Sequence, residues 1–374
     1  MIFRNANIFN GTGFTHGDFA VSDGKFVCTD TVTSDDGFTD LHDAYVIPGL
    51  IDIHTHGNSG ADFSDGDYEG LRKMAAFYLQ HGITSFCPTT MTLPYDVLGS
   101  AFETAKKYVD DPDTSGARIA GIHMEGPYFS EKKKGAQNAD YLKLPDYDGF
   151  KKLYDDCGGL IRLVDLAPEL ECACEFASKA CLLCTVSVAH TDASYEDTVN
   201  VYESGATHLT HLYNAMPSIH HRNPGVIGAA SERDNITAEL ICDGLHVHES
   251  AVRMAFRLFP DRICLISDSL RCTGMPEGEY TLGGQKIWLR DNIARLADGT
   301  IAGSAADLYQ CMLNAIRFGI EKGTAINAAT ANPARAIGMD DKLGSISPGK
   351  FADFIVCDES LQNITAIYKE GRLV

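Results

Sequence analysis

Residues 49–57, Gly49-Leu50-Ile51-Asp52-Ile53-His54-Thr55-His56-Gly57, decide how this chain is read. Leu50 to Ile53 make a short, mostly apolar run of the kind that forms a buried strand, with two imidazoles at its carboxyl end. Residues i and i+2 of an extended chain point the same way, so His54 and His56 can reach one metal ion. Further candidates follow at wide intervals: Glu125 after Ile119-Ala120-Gly121-Ile122-His123-Met124, His190 after Val186-Ser187-Val188-Ala189, and His211 after Thr207-His208-Leu209-Thr210. Asp268 comes last, after Ile263-Cys264-Leu265-Ile266-Ser267. Each closes an apolar, β-prone run. One histidine at a strand end is ordinarily structural; a series of such residues in the same context points to a site.

Working outward, strand candidates lie at 50–54, 83–87, 118–123, 161–166, 184–189, 206–210, 236–241 and 263–267. Segments with helical spacing, such as 68–80, 95–108, 193–203 and 248–258, intervene. This alternation predicts parallel strands joined by crossover helices, and eight strands favour a closed (β/α)8 TIM-type barrel. No Gly-x-Gly-x-x-Gly follows the first strand, which counts against a dinucleotide fold. In such barrels the carboxyl ends of the strands carry the chemistry, so the six residues above are expected to converge on one mouth. Residues 1–48 read differently, as short β-prone stretches between turn residues, with a break at Pro48-Gly49. The same style returns in 343–374. Both ends together predict a small β-sandwich domain flanking a barrel over 49–342.

Imidazole nitrogens and carboxylate oxygens suit a divalent transition metal: zinc first, iron or manganese otherwise. Two ions bridged by Glu125, or one ion on Glu125, His190 and His211, both satisfy the ligand count. Metal binding can bring the pKa of water down to about 7. Asp268 is then read as the base that takes the proton from the attacking water and passes it to a leaving amine. The alternatives for it are a further metal ligand or a helix N-cap.

Composition limits the partners. Of 374 residues, Lys+Arg number 31 and Asp+Glu 51, a net charge of -20 that argues against nucleic acid or an anionic membrane. No apolar run of about 18 residues is present, so no membrane span is expected. No basic-then-apolar leader is visible, and the 12 cysteines lie mostly in apolar runs, which together point to reduced thiols in the cytoplasm. Cys181-Leu182-Leu183-Cys184 has zinc-knuckle spacing but no second pair, and reads as core.

These residues resemble the amidohydrolase superfamily, through the His-x-His after the first strand, His190, His211 and Asp268. Gly121-Ile122-His123-Met124-Glu125-Gly126-Pro127-Tyr128, His211-Leu212-Tyr213-Asn214-Ala215-Met216 and Asp243-Gly244-Leu245-His246-Val247 narrow the resemblance to the N-acetylglucosamine-6-phosphate deacetylase family. Lys134-Gly135-Ala136-Gln137 and Ala302-Gly303-Ser304 fit it too. The resemblance implies metal-dependent hydrolysis of the acetamide of an N-acetylated amino-sugar 6-phosphate. It implies substrate contacts at Gln137 and His246, phosphate recognition by Asn214, Ala215 and Arg222, and a homodimer in which Arg222 reaches the neighbouring subunit's phosphate. Its first-strand His-x-His points toward two ions. Two departures stand out: Ser269 follows the catalytic aspartate where many relatives have alanine, and is expected to alter the pocket, and Gln137 replaces a histidine found in some relatives. An N-acetylgalactosamine-6-phosphate deacetylase remains an alternative, as does a catalytically silent paralogue. A cyclic-amide hydrolase is disfavoured because Glu125 stands where a carboxylated lysine would bridge the metals.

Overall fold

The computed structural model describes residues 1–31 and 37–374. Eight parallel strands run in chain order around a barrel: Leu50–Thr55, Ile83–Pro88, Ile122–Tyr128 (preceded by the short strand Arg118–Ile119), Ile161–Leu166, Thr185–Val188, His208–Leu209, Thr237–Ile241 and Ile263–Ile266. Hydrogen bonding divides them into two sheets, and the seams are closed by a Thr89–His123 bridge and by Asp268 N donating to His54 O at 3.0 Å. Every residue of the first three full strands is buried, because helices cover the outside and side chains fill the inside. That is why these strands read as apolar runs rather than alternating ones.

The crossover helices begin where capping residues stand. Asp67 accepts from the backbone N–H groups of Glu69 and Gly70 at the start of Tyr68–Gln80. Ser194 and Asp197 form a reciprocal capping box at the start of Tyr195–Glu203. Among the described residues no helix is long and apolar enough to cross a membrane. All 12 cysteines are free, Cys181 and Cys184 included.

The two ends of the chain share one sheet. Phe354–Cys357 pairs antiparallel with Tyr45–Pro48, which lies beside Ile2–Phe9, so C-terminal strands extend an N-terminal sheet. The small terminal β domain is built on a mixed sheet: Ile2–Phe9 runs parallel to Tyr45–Pro48 and Phe38–Asp40, and a Lys25–Phe351 bridge links its N-terminal edge strand to the segment leading into Phe354–Cys357. Its core is aromatic, with Phe3 stacked on Phe19 at 4.9 Å and edge-on to Phe354 at 5.0 Å. Gly49 joins this sheet to the barrel. A Cβ there would lie 2.1 Å from Thr84 Oγ1, so only glycine permits the approach.

One element was not expected from the sequence. After the eighth barrel strand the chain makes a four-stranded antiparallel meander: Gly278–Leu282, Gln285–Arg290, Ile293–Leu296 and Ile301–Ser304. Gln285 Nε2 donates to Ala136 O at 2.6 Å, tying this insert to the loop that carries Gln137.

Candidate metal centre and active site

All six strand-end residues meet at the carboxyl mouth of the barrel, and each is buried. His190, His211 and Asp268 each sit two residues beyond a strand with positive φ, 43°, 30° and 49°. Non-glycine residues seldom adopt this region, and when they do the surroundings impose it, commonly at functional sites.

Two groups form around Glu125. Its Oε1 lies 3.2 Å from both His190 Nε2 and His211 Nε2, and those two nitrogens are 3.1 Å apart. On the other side, His54 Nε2 is 3.5 Å from Oε1 and His56 Nε2 is 3.5 Å from Oε2. Asp268 Oδ1 stands 3.3 Å from His56 Nε2 and 3.7 Å from His54 Nε2. One carboxylate thus faces two pairs of imidazoles.

The ring orientations are set from behind. His190 Nδ1 donates to Lys133 O at 2.9 Å, His56 Nδ1 to Thr89 O at 3.2 Å, and His54 Nδ1 to Glu239 Oε2 at 2.8 Å. A neutral ring that donates from Nδ1 turns an unprotonated Nε2 to the centre. His54 Nε2 is buried without a hydrogen-bond partner, an expensive state unless a cation completes it. The Nε2 atoms of His190 and His211, 3.1 Å apart with Glu125 Oε1 beside both, likewise fit a divalent transition metal. Electrostatics agree. Burial alone would raise Glu125, yet His190 and His211 hold its carboxyl well below the usual range. Burial likewise opposes Asp268, which His56 and His54 keep low and therefore ionised. The carboxylates hold His56 and His211 up at about 9 against burial, a field that favours positive charge at the centre.

A cavity of about 200 Å³ opens above the centre, lined by His56, Glu125, His190, His211 and Asp268. Gln137, Asn214, Ala215 and His246 line it as well, and Thr300 to Gly303 of the insert form part of its wall. Both ends of the Gln137 amide are already engaged: Nε2 donates to Glu125 Oε2 at 2.6 Å, and Oε1 accepts from Thr92 N at 2.7 Å. His246 is held by Asp243, whose Oδ2 accepts from Nδ1 at 2.7 Å. Arg222 lies outside the cavity lining, exposed, with Nη1 2.8 Å from His221 Nε2.

Ser269 does not enter the pocket. Its hydroxyl meets Thr55 Oγ1 at 2.7 Å and donates to Gly57 O at 2.9 Å, while its carbonyl accepts from His56 N at 2.9 Å. The expectation that it alters the pocket is corrected: it braces the loop carrying His56.

Sequence reasoning missed the residues beneath the centre. Glu239, Asp165 and His208 are fully buried in the barrel interior. Each is a polar residue inside an apolar strand, and that mismatch was the available signal. Glu239 with His54 and His123 is close enough to resemble a third metal group, but the Nδ1 atoms of both rings already have hydrogen-bond partners.

The Amidohydrolase family profile matches residues 45–374, and the chain belongs to the amidohydrolase family. Within it, similar curated proteins include deacetylases of amino-sugar phosphates. The N-acetylglucosamine-6-phosphate deacetylase of Bacillus subtilis (strain 168) is 37% identical over 333 residues, 87% of this chain and 83% of that one. The N-acetylgalactosamine-6-phosphate deacetylase of Escherichia coli O157:H7 is 33% identical, covering 87% of this chain and 86% of its own length. Among solved structures, a variant of N-acetyl-D-glucosamine-6-phosphate deacetylase from Mycobacterium smegmatis, in complex with N-acetyl-D-glucosamine-6-phosphate, superposes with a TM-score of 0.91. It is 29% identical, and the match covers 100% of this chain and 98% of that one.

Proposed function

We propose that this enzyme hydrolyses the acetamide of N-acetyl-D-glucosamine 6-phosphate to glucosamine 6-phosphate and acetate. The observation that carries the reading is Glu125 facing two imidazole pairs, with the ionised Asp268 at the edge of the same cavity. Relatives named for this reaction across bacteria and vertebrates support it.

Residues 49–342 carry the site, and 1–48 with 343–374 form the supporting domain. His54, His56, Glu125, His190 and His211 would hold one or two divalent ions, zinc in preference to iron or manganese. Such an ion supplies a Lewis acid for the acetyl carbonyl and lowers the pKa of the attacking water. Asp268 takes that water's proton at a carboxylate oxygen and delivers it to the amide nitrogen, so that the sugar leaves as a free amine. His246, held by Asp243, contacts the sugar near the carbonyl. Asn214 and Ala215 receive the phosphate on the loop after the sixth strand, and Arg222 reaches it across a homodimer interface, where guanidinium geometry suits phosphate oxygens. Gln137 forms part of the substrate wall and orients Glu125 from behind. The enzyme works in the cytoplasm.

Acetate release from N-acetylglucosamine 6-phosphate, its galactosamine epimer and unphosphorylated N-acetylglucosamine tests the reading. Preference for the glucosamine phosphate supports it. Preference for the epimer would move the assignment to the activity named for the Escherichia coli relative. Turnover of none of them by metal-loaded protein would overturn it.

A further inference from the structure

Glu239 stands on the seventh barrel strand, Thr237–Ile241, with 0% of its surface exposed and no part in the cavity wall. A carboxylate sealed in a barrel is costly unless its charge and lone pairs are met. Here four groups from the first and third strands and from the sixth strand and the residues just beyond it surround the carboxylate, two of them hydrogen-bonded to Oε2. Oε2 accepts from His54 Nδ1 at 2.8 Å and from the backbone N–H of His211 at 3.1 Å. Oε1 faces His208 Nε2 at 3.3 Å and His123 Nδ1 at 3.8 Å. His123 is itself placed between two acceptors, Ile53 O at 3.0 Å and Asp165 Oδ1 at 2.9 Å. His123 is thereby held in one orientation under the centre.

We propose that Glu239 is a positioning residue: by accepting the Nδ1 proton of His54 it delivers His54 Nε2 to the His56–Asp268 side, so that this half of the centre takes its own divalent ion. The inference rests on the metal-dependent reading above. An ionised carboxylate can only accept, so His54 cannot carry its proton on Nε2 while Glu239 faces Nδ1. Oε2 also ties the backbone of His211 to the same point, so one buried oxygen aligns a histidine from each pair. The side chains of Glu125, His190 and His211 meet one another directly, and Glu239 touches that group only at the backbone N–H of His211, so its loss falls first on the His54 side.

Two variants and one spectrum test this. Glu239→Leu fills the space but cannot accept a proton. Glu239→Gln can direct its carbonyl at His54 Nδ1 and His211 N and its NH2 at His208 Nε2, whose ring can donate from Nδ1 to Thr237 Oγ1 at 2.6 Å. Metal-free protein is titrated with Co2+, following stoichiometry and visible d–d absorption. Wild type and Glu239→Gln are expected to take two ions per chain, the variant's second ion at most about tenfold weaker. Glu239→Leu is expected to take one, with second-ion affinity lowered about 10- to 100-fold or beyond detection. Should Glu239→Leu fail to fold, 15N NMR of the metal-free wild type still decides, because His54 must show the Nδ1–H tautomer. Two ions of wild-type affinity in Glu239→Leu, a single ion in wild type, or an Nε2–H tautomer would each overturn the proposal. None of these readouts needs turnover. A protein that loses one ion on Glu239→Leu yet fails to cleave the sugar phosphate refutes the substrate and leaves Glu239 in its role.

Discussion

Replacing Gln137 with leucine separates two roles for one side chain. The amide donates 2.6 Å to Glu125 Oε2 and accepts 2.7 Å from Thr92 N, so a leucine of similar volume removes both bonds together. A hydrogen bond to a charged group contributes about 1.5–3 kcal/mol, and stranding the buried Thr92 N–H costs about 1–3 kcal/mol more. With partial replacement by water from the adjoining cavity, a loss near 3 kcal/mol is expected in the metal-free protein. Partners that orient a metal ligand from behind change cation affinity about 10- to 100-fold, or about 1.4–2.7 kcal/mol. Chemical unfolding of metal-free protein reads the first quantity and Co2+ titration the second, while KM for the sugar phosphate at saturating metal reads any direct contact with substrate. The expected pattern is lower stability, weaker cation binding and a KM within about threefold of wild type. Unchanged stability and cation affinity with a raised KM would refute this reasoning and make the amide a substrate contact alone.

Asp268→Asn is expected to lower kcat by about 10²- to 10⁴-fold with substrate still bound, the loss typical of a general base; turnover within tenfold of wild type at full metal loading would remove it from that role. Arg222→Ala should raise KM about tenfold or more for the phosphorylated sugar, the loss of one charged hydrogen bond, and leave the unphosphorylated sugar unaffected. Equal effects on both would count against a phosphate contact. Ser269→Ala should destabilise the fold by about 1–3 kcal/mol, through its contacts with Thr55 and Gly57, with kcat changed only a few-fold. Burial pulls His246 down, but Asp243 more than offsets this and leaves it raised above 6.5. Burial pushes Asp243 up, and His246 brings it below 3.8. The pair therefore stabilises fully between those two values and loses its contribution as pH rises through the raised imidazole value or falls through the lowered carboxyl value. Asp243→Asn should lower the unfolding midpoint most near pH 5–6 and least well above neutrality. A cost flat across pH would contradict the pairing.

The barrel was legible because a strand buried on both faces carries an apolar run, and such runs end abruptly at polar residues. The predicted strand at 161–166 coincides with Ile161–Leu166, and the predicted helix at 68–80 with Tyr68–Gln80, marked by Asp67 ahead of it. The convergence of His54, His56, Glu125, His190, His211 and Asp268 followed from strand order alone. The insert at 278–304 escaped notice because its strands are half exposed. In Gln285–Arg290, however, Ile287 and Leu289 are buried between exposed Lys286, Trp288 and Arg290, an alternation that was there to be read. The polar layer of Glu239, Asp165 and His208 was overlooked for the opposite reason. Propensity treats a charged residue in an apolar strand as noise, and only the third dimension shows that these charges answer one another. Ser269 was misjudged because neighbours in a chain need not share a direction, and its hydroxyl faces Thr55 rather than the cavity.

The shared terminal sheet sets a timetable for biosynthesis. Tyr45–Pro48, which leads directly into the strand bearing His54, pairs with Phe354–Cys357, roughly 300 residues later in translation. At about 5–20 residues per second, that partner emerges about 15–60 s after the first strand has left the ribosome. During that interval the edge of Tyr45–Pro48 has unsatisfied backbone groups, the template on which a neighbouring nascent chain can add a strand. Slower translation anywhere between the two strands lengthens that exposure, and chaperone capture of the nascent N-terminal strands shortens it, so both should bear on the yield of native enzyme.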